Sequence, residues 1–369
     1  MSAPTRAELR FAVERFLPPA HSPAGRASVR KLGRGHIHGS YRVDAAGRSV
    51  FLQRLNEHVF PDLDAVTHNV ELVAGTLAAA RLRDHTRDRR RSALSPLRSD
   101  HDAWIERDPA GRAWRAFGFI DGAHGVALAR RPSQAAAAAR AFGLFFHDLA
   151  ALDPARLRIT IPDFHDTPAR LAALDRAIER DVANRATSAA PEIAFATGRR
   201  ALGARLMAAL AAGRLPLRVA HNDAKVANVL FDDATGGALC VVDLDTVMPG
   251  LAAFDAGDLV RSMASLAAED ARDPSRVKLR PGVVDAVLRG WLAGAGRAVT
   301  PAERASLVSG ALVITFEQGV RFLTDYLESD RYYKTTRPGQ NLDRARVQFA
   351  LLRALEADED RLERVVESV

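Results

Sequence analysis

The chain has 369 residues, 47% hydrophobic and 26% charged, with a formal net charge of +7. That length and balance suit a globular protein of two lobes and exclude a disordered or fibrous chain. The opening Met1-Ser2-Ala3-Pro4-Thr5-Arg6 lacks the apolar core of a signal peptide. The longest apolar stretch, Ala135 to Leu152, is interrupted by Arg140, His147 and Asp148, so no membrane span is expected. The single cysteine, Cys240, cannot pair within the chain, which fits a reducing, cytoplasmic location.

In chain order, Ala7 to Leu17 has helical spacing and stops at Pro18-Pro19. A glycine-rich turn, Leu32-Gly33-Arg34-Gly35-His36-Ile37-His38-Gly39-Ser40, then enters a strand ending near Val43. Asp44 to Arg48 reads as a turn and Ser49 to Leu55 as a second strand. Val66, Val70, Val73 and Leu77 repeat at helical spacing between Asp62 and Leu82, with Asp62 or Asp64 as the cap. Trp104 to Arg107 and Trp114 to Phe119 flank Asp108-Pro109-Ala110-Gly111 as a hairpin. Ile120-Asp121-Gly122 is a flexible exit from this first lobe.

The rest is mainly helical. Helices are expected over Gln134 to Ala151, Thr167 to Ala186, Gly198 to Ala212, Val283 to Ala293, Ala302 to Leu327 and Leu342 to Val366. A hairpin, Val229-Leu230-Phe231 with Leu239 to Val242, interrupts them. The boundaries are therefore set at 1–119 for a nucleotide-binding lobe, 120–122 for a hinge, and 123–369 for a helical lobe.

The basic balance raises the question of nucleic acid. Only Lys31, Lys225, Lys278 and Lys334 are lysines, and the arginine bias, with abundant Ala, Leu and Gly, matches a GC-rich codon habit. The densest basic run, Arg81 to Arg98, contains Asp84, Asp88 and Pro96 without interleaved aromatics, and reads as a solvated loop. No nucleic-acid partner is expected. Where the chain almost always uses Arg, the Lys at 225 answers a chemical need.

The informative motif is His221-Asn222-Asp223-Ala224-Lys225-Val226-Ala227-Asn228, followed by Val241-Val242-Asp243-Leu244-Asp245. Protein kinases place a catalytic Asp, a Lys two residues on and an Asn five residues on in one loop, then a metal-binding Asp after a strand pair. Asp223, Lys225, Asn228 and Asp243 keep that order and spacing. A carboxylate accepts a hydroxyl proton, an ammonium neutralises a departing phosphoryl group, and the Asn and Asp oxygens are the hard donors that Mg²⁺ requires. Asp223 and Lys225 are thus the catalytic candidates, and Asn228 and Asp243 the metal ligands. Asp243 is placed on an apolar strand, where an unpaired carboxylate is costly. The glycines at 33, 35 and 39 suit a phosphate cradle, since bare backbone N–H groups bind anions. Arg321 follows Glu317 by four residues on a helix, so a surface ion pair competes with a ligand role. His147, His165 and Cys240 read as structural, His221 as a scaffold for its loop, and Tyr332 and Tyr333 as packing or pocket residues.

Across nearly its full length the chain resembles the aminoglycoside phosphotransferase and choline kinase group, and within it most closely the N-acetylhexosamine 1-kinases. The similarity runs through Phe51-Leu52-Gln53-Arg54-Leu55-Asn56, Phe119-Ile120-Asp121-Gly122, Asp163-Phe164-His165-Asp166, His221 to Asn228, Val242 to Gly250, Phe254 to Arg261, Arg321 to Leu327, and Asp330 with Tyr332-Tyr333-Lys334. The resemblance implies an α+β, bilobal, protein-kinase-like fold, with a small antiparallel β-sheet lobe and a larger helical lobe. It implies ATP and Mg²⁺ as cofactors and phosphorylation of the anomeric hydroxyl of an amino sugar. It makes Asp223 the general base, adds Asp245 as a possible second metal contact beside a structural alternative, and gives Asp258 the role of bracing the catalytic loop. Phe119, Ile120 and Asp121 would pair with adenine, and Asp223, Arg321, Tyr332 and either His36 or His38 would meet the acceptor. The chain lacks the lysine of the third kinase strand, so Gln53 or Arg54 must occupy that region. Ser262 stands where the hexosamine kinases carry an aromatic, and His38-Gly39-Ser40 lacks their polar residues before the tyrosine. Other sugars, aminoglycosides or choline-like alcohols remain open as acceptors.

Overall fold

The computed structural model describes residues 3–17, 27–32, 37–45, 47–84, 88 and 91–369. The chain forms two compact units. The first comprises Met1–His124, Leu157–Thr160 and Phe231–Val247, and the second Gly125–Arg156, Ile161–Leu230 and Met248–Val369. The first unit thus takes back a segment that carries Asp243 and Asp245.

In the first unit, α1 (Arg6–Phe16) starts at a capping box in which Thr5 and Glu8 satisfy each other's backbone N–H groups. Strands β1 (Ser28–Lys31), β2 (Gly39–Ala45) and β3 (Arg48–Arg54) follow, and the Leu32 N–H donates to the Ser40 carbonyl at 2.8 Å beside the glycine-rich turn. Helix α2 (Leu63–Arg83) is capped by Asp62, whose carboxylate accepts from the Ala65 N–H at 2.8 Å. The helix runs one residue past the expected Leu82, so Arg81 and Arg83, the start of the basic run, lie in its last turn, where cations complement the helix dipole. Strands β4 (Pro96–Leu97), β5 (Glu106–Arg107) and β6 (Ala113–Gly118) complete an antiparallel sheet of order β1-β2-β3-β6-β4, with β5 also on β6.

Strand alternation sorts this sheet into two faces. Tyr41, Leu52 and Ala116 lie opposite one another in register and pack with Val43, Val50 and Trp114 against Ala12 and Phe16 of α1. Arg54, whose guanidinium lies 4.0 Å from the Glu8 carboxylate, shares that side. Ser40, Gln53 and Arg115 pair in register on the other face. Strand β7 (Ala123–Gly125) ends the first stretch.

The second unit begins with α3 (Pro132–Leu149), α4 (Thr167–Arg180), α5 (Ala190–Thr197), α6 (Arg200–Ala211) and β8 (Arg218–Ala220). A hairpin of β9 (Val229–Asp232) and β10 (Ala238–Val241) then forms a three-stranded sheet of order β10-β9-β7. The chain continues in the second unit with β11 (Met248–Gly250), paired antiparallel to β8, and with α7 (Ala252–Met263), α8 (Pro281–Ala295), α9 (Pro301–Ala305), α10 (Leu307–Leu327), α11 (Gln340–Glu356) and α12 (Glu359–Glu367). The expected long helix over Ala302 to Leu327 is broken at Ser306, and that over Leu342 to Val366 at Ala357 and Asp358.

Two helices were not expected, α5 and α7. Helix α7 is buried on almost every side and has no side-chain cap, so neither a polar stripe nor a start signal marks it. It packs on α10 at a close backbone approach. A Cβ on Gly257 would stand 2.4 Å from the backbone C and O of Gly310, so only glycine fits. This contact fixes α7, which carries Asp255 and Asp258, against α10, which carries Glu317 and Arg321. Among the described residues no helix is long and apolar enough to cross a membrane.

Candidate active site

In the second unit, β8 delivers the chain into the loop of residues 221–228. Asn222 takes a left-handed conformation, φ 62°, which turns Asp223 out of the strand. The turn is held from beneath. The buried Asp255 carboxylate accepts the backbone N–H groups of both His221 and Asn222 at 2.8 Å, and the Asn222 amide donates to the carbonyls of Ala220 at 3.1 Å and Met248 at 3.2 Å. Burial raises the Asp255 carboxyl, with His221 and the two backbone donors pulling it the other way. Asp255, not Asp258, therefore braces the loop; Asp258 is bonded one turn along to Arg261 at 2.6 Å. The His221 ring packs edge-on against Phe142 and Phe145, which suits the scaffold role.

Asp223 is one quarter exposed, and its Oδ2 accepts from Lys225 Nζ at 2.6 Å and from Asn228 Nδ2 at 3.2 Å. The second Asn228 amide contact is to the Asp223 carbonyl at 2.9 Å. Burial opposes ionisation of Asp223, but Lys225, His221 and Asn228 outweigh it and hold the carboxyl below its ordinary range. Asp223 is therefore ionised at neutral pH, with Oδ1 left to accept a proton. The same contacts turn Asn228 so that its donors are committed to Asp223 and its Oδ1 is the atom available to a hard cation.

A second cluster in this unit surrounds Arg321. His165 donates through Nε2 to the Asn222 carbonyl at 2.9 Å and faces Glu317 Oε1 through Nδ1 at 2.8 Å; Thr167 donates to Glu317 Oε2 at 2.7 Å. Both His165 partners are acceptors, so an imidazolium satisfies them. Burial lowers the His165 pKa, yet Glu317 and the Asn222 carbonyl raise it overall; Glu317 is lowered in turn, its own burial outweighed by His165. Glu317 is thus spoken for, and the surface ion pair with Arg321 does not form. The Arg321 guanidinium instead lies 5.0 Å from the Phe164 ring and 5.9 Å from the Tyr333 ring. Burial lowers its pKa, while Tyr333, Glu317 and Tyr332 raise it overall. The buried Asp325 accepts from the N–H groups of Tyr332 and Tyr333 at 2.8 and 2.9 Å and from the Asn341 amide at 2.8 Å, and so fixes the tyrosine segment. Tyr332 is 60% exposed, and Tyr333 is bonded to Gln318.

In the first unit the expected residues assemble differently. His38 Nδ1 accepts from the Asn56 N–H at 3.1 Å, so Nε2 carries the proton and donates to Asp245 Oδ2 at 2.7 Å. Arg115 adds a bidentate pair to Asp245, at 2.6 and 2.8 Å, and also donates to Gln53 Oε1 at 3.0 and 2.7 Å. Burial raises the Asp245 carboxyl, but Arg115 and His38 overcome it and hold the group far below the usual carboxylate range. Asp245, His38 and Gln53 therefore belong to one buried network centred on Arg115, which lies in a stretch of the family resemblance (Trp114-Arg115) but was expected to have no role of its own. Asp243 is exposed rather than buried, because β10 ends at Val241 and Asp243 turns left-handed, φ 66°. The expected strand position and its burial cost are thus corrected. Arg42 stacks 4.3 Å from the Phe119 ring and pairs with Asp121 at 2.9 Å, Ile120 is buried, and the Phe119 N–H already donates to the Ser49 carbonyl at 3.1 Å. Gly33, Gly35 and His36 lie outside the described residues; Gly39 opens β2.

Residues 28–301 match the model of the phosphotransferase enzyme family (APH). The chain belongs to that family. Solved structures share its fold. A choline/ethanolamine kinase family protein from Mesorhizobium loti is 20% identical, with TM-score 0.58, over 98% of this chain and 99% of that one. An aminoglycoside phosphotransferase from Alicyclobacillus acidocaldarius is 16% identical, with TM-score 0.60, over 100% and 98%. A spectinomycin phosphotransferase, solved with ADP and spectinomycin, is 12% identical, with TM-score 0.56, over 96% and 99%. With the sheet-based first unit and helical second unit, these establish the α+β kinase-like fold. For a phosphotransferase the donor chemistry is apt: the Asn228 amide oxygen and the exposed Asp243 carboxylate are both hard oxygen donors suited to Mg²⁺. Asp245 keeps its oxygens on Arg115 and His38.

Proposed function

We propose that this phosphotransferase transfers the γ-phosphoryl group of ATP to a hydroxyl of a small-molecule acceptor, with Asp223 as the base, and that the acceptor hydroxyl is the anomeric one of an N-acetylhexosamine. The observation that carries the reaction class is the Asp223 carboxylate itself: ionised, partly exposed, with Oδ2 held by Lys225 and Asn228 and the loop braced by Asp255. The bond from the γ-phosphorus to the bridging oxygen of ADP breaks as the acceptor oxygen bonds to phosphorus. The hydroxyl proton passes to Asp223. Because the transition state is loose, positioning and charge neutralisation supply most of the acceleration, and the proton moves late. Asn228 and Asp243 would hold Mg²⁺, which when bound neutralises charge on the phosphates. Gly39 and the neighbouring glycines, Gln53 and the backbone of Phe119 to Asp121 are the nucleotide candidates. ADP in the spectinomycin phosphotransferase supports an adenine nucleotide as donor.

The acceptor reading rests on the sequence resemblance and on Arg321 and Tyr332 lying on the segments that it quotes. The alternative is another small alcohol, which the choline/ethanolamine kinase and aminoglycoside phosphotransferase neighbours favour. The deciding experiment is acceptor-dependent ADP release with Mg·ATP across sugars, N-acetylhexosamines, aminoglycosides and choline, with Asp223→Asn as the blank. Turnover of N-acetylhexosamines with loss of the reducing end supports the 1-kinase reading. Turnover of a different alcohol replaces it, and near-normal turnover in Asp223→Asn removes Asp223 as the base.

A further inference from the structure

Arg170 and Arg321 of the second unit, both at least partly buried, have no ion-pairing carboxylate among the described residues. Arg170, on α4, donates Nη2 to the Phe164 carbonyl at 3.3 Å, and its Nε is buried without a hydrogen-bond partner among the described residues. Arg321, on α10, stacks on the ring of the same Phe164 and, among the described residues, hydrogen-bonds through its side chain only to the Gln318 amide oxygen, at 3.4 Å. Neither guanidinium lies within ion-pair distance of a carboxylate among the described residues, although this chain pairs arginines with acids freely elsewhere.

The carboxylate that acts on both of them electrostatically, Glu317, is already committed, as are other acids of this unit. Glu317 accepts from His165 and Thr167, and His165, between two acceptors, carries the charge that balances it. Glu269 is shared by Arg261 at 3.6 Å and Arg344 at 3.9 Å. Arg261 is tied to Asp258, and Asp223 to Lys225. The two guanidinia feel each other: burial and the charge of Arg321 together depress the Arg170 pKa. Arg170, with a buried and unsatisfied Nε and the like charge of Arg321 beside it, is left with a guanidinium that an anion would satisfy.

We propose that Arg170 and Arg321 form an anion subsite for the acceptor, so that the phosphorylated hydroxyl compound carries a carboxylate or a phosphate. This rests on the kinase reading and deepens it: the accepting hydroxyl belongs to a small molecule, a sugar derivative included, that also carries an acidic group. Guanidinium groups match either anion through paired N–H donors, whereas a polycationic aminoglycoside or a choline-like cation would be repelled. Phe164, Tyr332 and Tyr333 supply apolar and hydroxyl-bearing surface beside the charge.

Calorimetric titration separates the two readings. The protein with Mg²⁺ and a non-hydrolysable ATP analogue is titrated with N-acetylglucosamine, N-acetylglucosamine 6-phosphate, glucose, glucuronic acid and glucosamine. Tighter binding of an acid than of its neutral parent, by roughly tenfold or more, with that advantage lost in both Arg170→Gln and Arg321→Gln, supports the subsite. Preference for glucuronic acid identifies a carboxylate, and preference for the 6-phosphate a phosphate. Equal or tighter binding of neutral or cationic partners overturns it, as does an acid preference that survives both substitutions, or no binding of either acid up to crystal-soak concentrations. ADP release is measured on the same compounds. An acid that binds through the arginines without being phosphorylated sinks the kinase reading alone, and efficient turnover of neutral sugars without acid preference sinks the subsite alone.

Discussion

Asp255→Asn isolates the brace beneath the catalytic loop. In the folded protein one carboxylate accepts two backbone N–H groups, from His221 and Asn222, each at 2.8 Å. Asparagine keeps the volume but offers one oxygen, so one N–H loses its acceptor and meets an amide donor instead. A hydrogen bond to a charged group contributes about 1.5–3 kcal/mol. Against that loss stands relief of the burial that already raises the Asp255 carboxyl. The net expectation is a loss of about 2 kcal/mol in unfolding free energy, the middle of that range with partial relief. Because the freed N–H belongs to the turn that aims Asp223, kcat should fall by about tenfold or more, since about 1.4 kcal/mol of lost positioning is a factor of ten. KM for ATP should change little, as Asp255 touches no nucleotide candidate. Urea unfolding followed by circular dichroism gives the stability, and initial rates over an ATP and acceptor grid give kcat and KM. An Asp255→Asn enzyme with unchanged midpoint and unchanged kcat would refute the brace.

Lys225→Met removes the ammonium 2.6 Å from Asp223 and leaves burial of the carboxyl less opposed. The Asp223 pKa should rise, so the acid limb of the kcat/KM profile should move to higher pH than in wild type; an unmoved limb would detach Lys225 from that role. The His165–Glu317 pair predicts a stability optimum. His165 is raised above 6.5, so its contribution is complete below that value and is lost as pH rises through its folded pKa; Glu317 is lowered below 4.5, so its contribution is present above that value and is lost as pH falls through its own. His165→Gln should flatten the alkaline fall in urea midpoint above about pH 6.5, and a wild-type midpoint that does not fall as pH rises above that value would contradict the pairing. Gly257→Ala puts a Cβ 2.4 Å from the Gly310 backbone, and overpacking of that kind costs about 1–3 kcal/mol. Urea unfolding should show the loss, and a variant as stable as wild type would mean that α7 and α10 can separate at no cost.

Legibility in the sequence followed the range of the physical signal. Helix α2 was readable because its valines repeat on one face and Asp62 supplies a local cap three residues before the N–H it binds. Strands β2, β3, β5 and β6 were readable in the sequence while the short β1 and β4 were not, and alternation, once the register is known, settles which of two neighbours faces which way: Arg54 toward α1, Gln53 toward Arg115. Helix α7 gave no such signal. Its Asp255 and Asp258 look like an exposed polar face, but both are buried, at 2% and 5% exposure, because each has a specific partner. A periodicity argument counts them on the wrong side.

The same limit explains the site. Asp223, Lys225 and Asn228 contact one another within a single loop, so their spacing alone conveys their chemistry. The network around Asp245 joins residues far apart in the chain, Arg115 and His38, and the network around Glu317 joins His165 across another long separation. From sequence, Glu317 and Arg321 form the obvious ion pair, four residues apart on one helix. The fold gives the carboxylate to His165 instead, because a buried acid is worth most to the partner that also satisfies a second buried acceptor, here the Asn222 carbonyl of the catalytic loop. That choice does two things at once. It ties α10 to the loop that carries Asp223, and it leaves Arg321 without an ion-pairing acid among the described residues, as Arg170 is. On the proposed anion subsite, the charge of the acceptor would follow from where a histidine 152 residues from Glu317 comes to lie, which no local reading of the helix contains.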